Sequence, residues 1–334
     1  MVLRVALDLA HTRQSSAGTA RVARSLHRAL AARDDVVVLP LGDGRPFERG
    51  DPRRRALALY QDLAWYPEVG RRAARRAGAD VYHLALARGP LRRGLPPVSV
   101  TVHDLVPQLL PETMSGWNRR YSRATFVRMV AAADLVVTSS ETMAAQLSAR
   151  RIAVVPLGVA DELRGPAPAE RPAGTGYVLF VGTPEPRKNL ARLAEAVAAA
   201  GLRLVVAGAG GWGDGRPGAG VEWLGRVDDR TLHALYAGAA CLAIPSLDEG
   251  FGLPAVEAMA VGCPVVAARA GALPEVCGDA AVLVDPLDTA AIAAGLTDAI
   301  ARRTALVARG REHAARYTWE RSAELLVSAW RSLR

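Results

Sequence analysis

The chain has 334 residues, half of them hydrophobic, and a formal net charge of +9. That length allows two domains of ordinary size, each able to bury a core, and no apolar run reaches the roughly 18 residues of a membrane-spanning helix. Its three cysteines, Cys241, Cys263 and Cys277, are odd in number and lack metal-ligand spacing, which excludes a disulfide framework and reads as buried thiols in a reducing cytoplasm.

Met1 to Leu9 is too short for a signal-peptide core and lacks a cleavage pattern, so it reads as the first buried strand. Further strands are predicted near 36–41, 80–84, 97–102, 134–138 and 152–156, and helices near 18–32, 56–77, 117–132 and 141–149. Charge is concentrated in this half. Residues 1–165 hold 25 basic and 15 acidic side chains, against 17 and 18 in the remainder. Arg71, Arg72, Arg75 and Arg76 have the spacing of one helix face, and Tyr60, Trp65 and Tyr66 lie close by. Two readings stand: a peripheral contact with an anionic membrane, or a solvated arginine-rich surface produced by coding bias. Nucleic acid is not expected as a partner, because no nucleic-acid-binding motif accompanies the charge.

Asp161 to Gly174 is rich in Pro and Gly, lacks periodicity, and reads as a linker. Beyond it, strands are predicted near 177–182, 203–207, 221–224, 240–244, 264–267 and 281–284. Helices are predicted near 189–200, 229–237, 254–261 and 289–302, with an amphipathic last helix from Trp319 to Leu333. The alternation on both sides predicts an α/β protein of two Rossmann-like, doubly wound parallel sheets. Domains are placed at 1–165 and 166–318. Gly208-Ala209-Gly210-Gly211-Trp212-Gly213 fits a dinucleotide fingerprint, but that fingerprint must open a helix. Asp214 to Gly220 cannot begin one, so the match is set aside.

The chain has a single lysine among its 42 cationic side chains. Lys188 sits with Arg187 in a Gly/Pro turn, Gly182-Thr183-Pro184-Glu185-Pro186-Arg187-Lys188-Asn189, between an apolar strand and a helix start. Helix N-terminal amides and a point charge both favour phosphate; a surface cation beside a helix cap is the plainer alternative. A second segment, Asp248-Glu249-Gly250-Phe251-Gly252-Leu253-Pro254-Ala255-Val256-Glu257, sets two glutamates eight apart. Its glycines let backbone amides approach a ligand, and Pro254 suits the first turn of a helix.

These segments resemble the retaining glycosyltransferases of family 4. Glu249 to Glu257 is similar to that family's paired-glutamate motif, and Pro186-Arg187-Lys188-Asn189 to its donor-phosphate turn. Gly271 to Val276 resembles its next loop. His103-Asp104-Leu105-Val106-Pro107 resembles the acceptor-side motif of its mannosyltransferase-like branch. The likeness implies the GT-B fold, with a cleft between domains and the last helix, 319–334, packing back on the first. It also implies roles. Arg187 and Lys188 would offset charge on the leaving phosphate, with amides near Gly250, Phe251, Gly252 and Leu253. Glu257 would accept the ribose hydroxyls, and Glu249 would face the sugar. Gly182 and Thr183 would border the donor, Val227 would meet the base, and Gly18 would lie beneath the phosphate. His103 would act beside the acceptor.

The chain contains no Asp-x-Asp, so no metal and no cofactor are expected. The expected substrates are a nucleotide sugar, with GDP-mannose ahead of UDP-glucose and UDP-N-acetylglucosamine, and a glycan or lipid-linked acceptor. The expected place of action is the cytoplasm or the inner face of its membrane. Another GT-B activity, such as an epimerase or a phosphorylase, and a non-catalytic nucleotide-sugar binder are the alternatives.

Overall fold

The computed structural model describes residues 2–13, 18–44, 47, 51–88, 94–106, 116–210 and 220–334. The chain divides into two compact units, Met1–Leu157 with Trp319–Arg334, and Gly158–Thr318. The boundary falls ahead of the predicted linker. Leu163 is 1% exposed, and Arg164 donates to the Tyr317 carbonyl at 2.6 Å, so the start of this Pro/Gly-rich stretch is anchored on the second unit.

The first unit is built on β1 (Leu3–Asp8), β2 (Val36–Leu41), β3 (Val81–Leu84), β4 (Val98–Thr101), β5 (Leu135–Thr138) and β6 (Ile152–Val154). Their order is β2-β1-β3-β4-β5-β6, all parallel. β3, β4 and β5 are buried along their whole length, including the polar side chains of His83, Ser99, Thr101 and Thr138. The last helix, Trp319–Arg331, belongs to this unit. Its Trp330 is fully buried, edge-on to His83 with ring centroids 5.0 Å apart, and Ser322 donates to the Pro156 carbonyl at 2.6 Å.

The helix predicted over 56–77 starts earlier and is not uniform. Asp51 caps it by accepting from the Arg53 amide at 2.8 Å, with Pro52 in the first turn. Residues Gln61–Val69 then widen into a π-helix containing Pro67, before an α-helix over Gly70–Arg76. Pro67 has no N–H to give the α ladder, which accounts for the local rewinding. The helix predicted over 141–149 is a single turn, Glu141–Ala144.

The second unit is built on β7 (Val178–Val181), β8 (Leu204–Ala207), β9 (Val221–Gly225), β10 (Cys241–Ile244), β11 (Val265–Ala268) and β12 (Val282–Val284). Their order is β12-β11-β10-β7-β8-β9, again all parallel. The chain winds outward from β7 to β9, then returns to β10 on the other side of β7. β7 and β10 are therefore neighbours whose crossovers run in opposite directions, and loops at such a point leave room for a ligand. Two further helices, Leu273–Cys277 and Arg303–Ala314, have no counterpart among the predicted elements. Cys241, Cys263 and Cys277 are buried free thiols, and burial raises all three pKa values.

No helix among the described residues is long and apolar enough to cross a membrane.

Candidate active site

The loops that leave β7 and β10 are tied together at this switch point. After β7 the chain turns at Gly182, whose φ is 147°, and forms a 3-10 turn over Pro186–Lys188. Asn189 then adopts the left-handed region, φ 56°, and opens the helix Leu190–Ala199. Its side-chain amide donates to the carbonyls of Pro245 at 3.1 Å and Pro286 at 2.7 Å. The Leu247 amide donates to the Arg187 carbonyl at 2.8 Å, and the Arg187 guanidinium donates to the Asp248 carbonyl. The turn carrying the cations is thus held against the loop carrying the first glutamate.

The side chains converge on one carboxylate. Lys188 Nζ donates to Glu249 Oε1, Ser246 Oγ donates to the same oxygen at 2.7 Å, and an Arg187 nitrogen lies 3.3 Å from Oε2. Arg187 also pairs with Glu185 at 2.5 Å. Arg187 is 7% exposed and Glu249 8%. Burial alone would raise the Glu249 pKa, but Lys188 and Arg187 outweigh it and hold the value down from 4.5 to about 2.

That depression has a consequence for stability. A carboxylate with a lowered folded-state pKa stabilises the fold above its unfolded value, and this is lost as pH falls through the folded value. Between pH 4.5 and about 2, Glu249 should therefore contribute a loss on the order of 3 kcal/mol. Acid unfolding followed in the wild type and in Glu249→Gln checks this. The wild type should lose stability more steeply across that window, and parallel curves would refute it.

Glu257 lies in the first half of the helix Leu253–Val261, 2% exposed, and accepts from the Tyr236 hydroxyl at 3.0 Å. That helix begins at Gly252, whose φ of 86° suits glycine, and a Cβ there would meet Leu273 at 2.5 Å. In its first turn Pro254 has no N–H and the Ala255 amide donates to the Gly252 carbonyl at 2.8 Å, which leaves the Leu253 amide with no partner in the helix ladder. The Phe251 ring is buried, edge-on to Tyr317 at 5.5 Å, so this residue contributes packing beside its backbone amide. Thr183 is half-buried in the turn after β7. Val227, half-buried, follows β9 at the sheet edge, two strands from β7.

His103 and Gly18 belong to the first unit. Gly18 opens the helix Gly18–Ala31, with open space where a Cβ would stand. His103 follows β4, and its Nε2 lies 2.9 Å from the Ala85 carbonyl, which accepts its proton. Burial lowers its pKa, so the imidazole is neutral at pH 7. Pro107 of the same motif lies outside the described residues.

The sequence reading missed several residues. Ser246 supports Glu249 from three residues away, and Tyr236 supports Glu257 across two helices. His11, three residues beyond the end of β1, is 5% exposed, and its Nε2 has no hydrogen-bond partner among the described residues. Burial, followed by the charge of His103, lowers its pKa to about 4. A histidine just past a strand's C-terminal end was the one signal available for it. Gly208 has a packing reason of its own. A Cβ there would lie 1.8 Å from the Gly182 carbonyl oxygen, so the start of the fingerprint-like run is a close backbone contact with the loop that leads into the cation turn. The run from Gly211 onward lies outside the described residues.

Two family models match, and in tandem they span most of the chain. Glycosyltransferase Family 4 covers residues 16–163, and Glycosyl transferases group 1 covers residues 175–302. The O-antigen chain mannosyltransferase B of Escherichia coli is 30% identical over 316 residues, covering 84% of this chain and 78% of that protein. The chain is a family 4 glycosyltransferase. The D-inositol 3-phosphate glycosyltransferase of Segniliparus rotundus is 35% identical over 240 residues, 61% of this glycosyltransferase and 54% of the relative. Among solved structures, sucrose-phosphate synthase from Thermosynechococcus elongatus matches with a TM-score of 0.74 and 22% identity, covering 99% of each chain. Anabaena HepE, solved with UDP and glucose, matches at 0.69 and 19%, covering 99% of this glycosyltransferase and 100% of HepE. At those identities the likeness speaks for the fold, which is GT-B.

Proposed function

We propose that this glycosyltransferase moves a hexose, with retention of anomeric configuration and without a divalent metal, from a nucleotide sugar to a glycan or lipid-linked acceptor. GDP-mannose is the donor of first choice, ahead of UDP-glucose and UDP-N-acetylglucosamine. The observation that carries the reading is the convergence of the only lysine and a buried arginine on one carboxylate at the sheet's switch point. The mannosyltransferase relative supports mannose, and the HepE complexes support a nucleoside diphosphate at this fold.

Glu249 pairs with both cations. A donor diphosphate would compete for Lys188 and Arg187, releasing Glu249 toward the hydroxyls of the sugar. Bond cleavage between the anomeric carbon and the β-phosphate oxygen loads charge onto that phosphate, where a fixed cation pair and helix-start amides stabilise it. The acceptor oxygen bonds to the anomeric carbon from the same face, and its proton passes to the leaving phosphate. His103, neutral and anchored on Ala85, orients the sugar or acceptor through its remaining nitrogen.

Two experiments test the reading. Glu257→Ala should weaken binding of the free nucleoside diphosphate by tenfold or more, an effect of roughly 1.4 kcal/mol. Glu249→Ala should keep that affinity or raise it, since it frees the cations. Calorimetry on both variants decides; equal losses would refute the assignment of ribose to one glutamate and sugar to the other. Turnover should also persist in EDTA. Complete loss that Mg²⁺ or Mn²⁺ restores would overturn metal independence.

A further inference from the structure

The helical stretch from Pro52 to Arg76 carries an exposed strip that is basic at both ends and apolar in the middle. Leu59 is 50% exposed, Tyr60 47% and Leu63 65%. Arg53 and Arg55 precede them, and Arg72, Arg75 and Arg76 follow, all exposed. Arg55, Leu59 and Leu63 succeed one another four residues apart, the spacing of one helix face. The opposite face holds Asp62, Tyr66, Gly70 and Ala74, all buried.

The structure changes the composition of the basic face read from sequence. Arg71 and Arg72 both pair with Glu68, and the Arg71 side chain is only 17% exposed. Arg53 pairs with Asp51. Arg55, Arg75 and Arg76 have no carboxylate within ion-pair distance among the described residues, so they remain available to an external anion.

We propose that this strip is a docking surface for an anionic lipid bilayer. Leu59, Tyr60 and Leu63 enter the boundary between headgroups and acyl chains, while Arg55, Arg75 and Arg76 pair with lipid phosphates. Three large apolar side chains on one helix gain by leaving water, and flanking cations gain from a negative surface potential; a bilayer interface supplies both. A nucleic acid would satisfy the cations and stack on Tyr60, but it offers nothing to Leu59 and Leu63. A protein partner would bury a patch whose centre is poor in charge, whereas here the apolar centre is too narrow to exclude its own arginines. The strip uses no residue of the donor site, so the proposal stands apart from the transfer reaction.

The test is sedimentation with phosphatidylcholine vesicles, with and without phosphatidylglycerol. The wild type should bind the anionic vesicles at low salt and leave them near 1 M salt, where the Debye length is ~3 Å. Each cation lost should weaken partition roughly fivefold, so Arg55→Glu/Arg75→Glu/Arg76→Glu should lose at least about 100-fold. Leu59→Ser/Leu63→Ser should also release the protein at unchanged melting temperature, whereas Val127→Ser, exposed on another helix, should not. Because the native thiols are buried, Leu63→Cys can carry an environment-sensitive dye, which should blue-shift on anionic vesicles. No shift at position 63, equal binding to neutral vesicles, or unchanged binding in both multiple variants would overturn the proposal. So would conversion of a dimer to a monomer by Leu59→Ser/Leu63→Ser, which would make the strip a contact between two copies of the chain.

Discussion

Replacing Lys188 by alanine should lower kcat by roughly 100-fold or more, by comparison with removal of a single oxyanion-stabilising donor in other enzymes. The argument rests on when the charge is needed. Lys188 Nζ donates to Glu249, which compensates its positive charge. A bound diphosphate takes over that compensation, and the demand on the cation peaks as the glycosidic bond breaks. An interaction that is strongest in the transition state appears in kcat, while uniform binding appears in KM. Arg187 and Ser246 remain on Glu249 after the substitution, so the buried carboxylate keeps partners and the unit should still fold. Steady-state kinetics with varied donor checks this. An unchanged kcat with a raised KM would make Lys188 a ground-state binding residue only.

Replacing Gly208 by alanine should destabilise the second unit by about 3 kcal/mol, the upper part of the range for overpacking. The added Cβ would sit 1.8 Å from the Gly182 carbonyl oxygen and 2.6 Å from its carbon. Both are backbone atoms, so no side chain can swing aside, and relief requires the loops after β7 and β8 to separate. For a unit of this size each kcal/mol shifts the melting temperature by roughly 2–4 °C, so a fall of about 6–12 °C is expected. Turnover should fall with it, because the displaced segment, Gly182–Thr183, leads directly into the cation turn. Calorimetric melting is the check, and a melting temperature within about 1 °C of the wild type would contradict the contact.

Much of the second unit was legible in the sequence. Four of its six strands, β7, β8, β10 and β11, are apolar runs buried over nearly their whole length, while β9 at the sheet edge is half-buried and carries Glu222; the cation turn and glutamate pair stand out because few residue types serve those positions. The meeting of Lys188 with Glu249 was not legible. The two are 61 positions apart, and nothing local says that β7 and β10 are neighbours until the crossover order is known. The short helices escaped for another reason. Leu273–Cys277 is barely more than one turn, too short to show a period, and in Arg303–Ala314 two of the four buried positions are Gly310 and His313, so its apolar pattern is faint. In the first unit, Pro67 argues against a continuous helix, yet a π-turn absorbs it. Gly208 opens a fingerprint-like run that the sequence already set aside as a cofactor site, and the structure supplies its reason, two backbones in contact.

The most direct test of the central claim is a thermal-shift titration with GDP-mannose, UDP-glucose and UDP-N-acetylglucosamine on the wild type and on Glu257→Ala. A ligand that binds only the native state stabilises it by about 2.7 kcal/mol at a hundred times its Kd, an easily measured shift. At least one of the three, with GDP-mannose expected first, should raise the wild-type melting temperature dose-dependently, and Glu257→Ala should need far more ligand for the same rise. No shift with any of the three at millimolar concentration, or equal shifts in the wild type and the variant, would contradict the assignment of this switch-point cluster as the donor site.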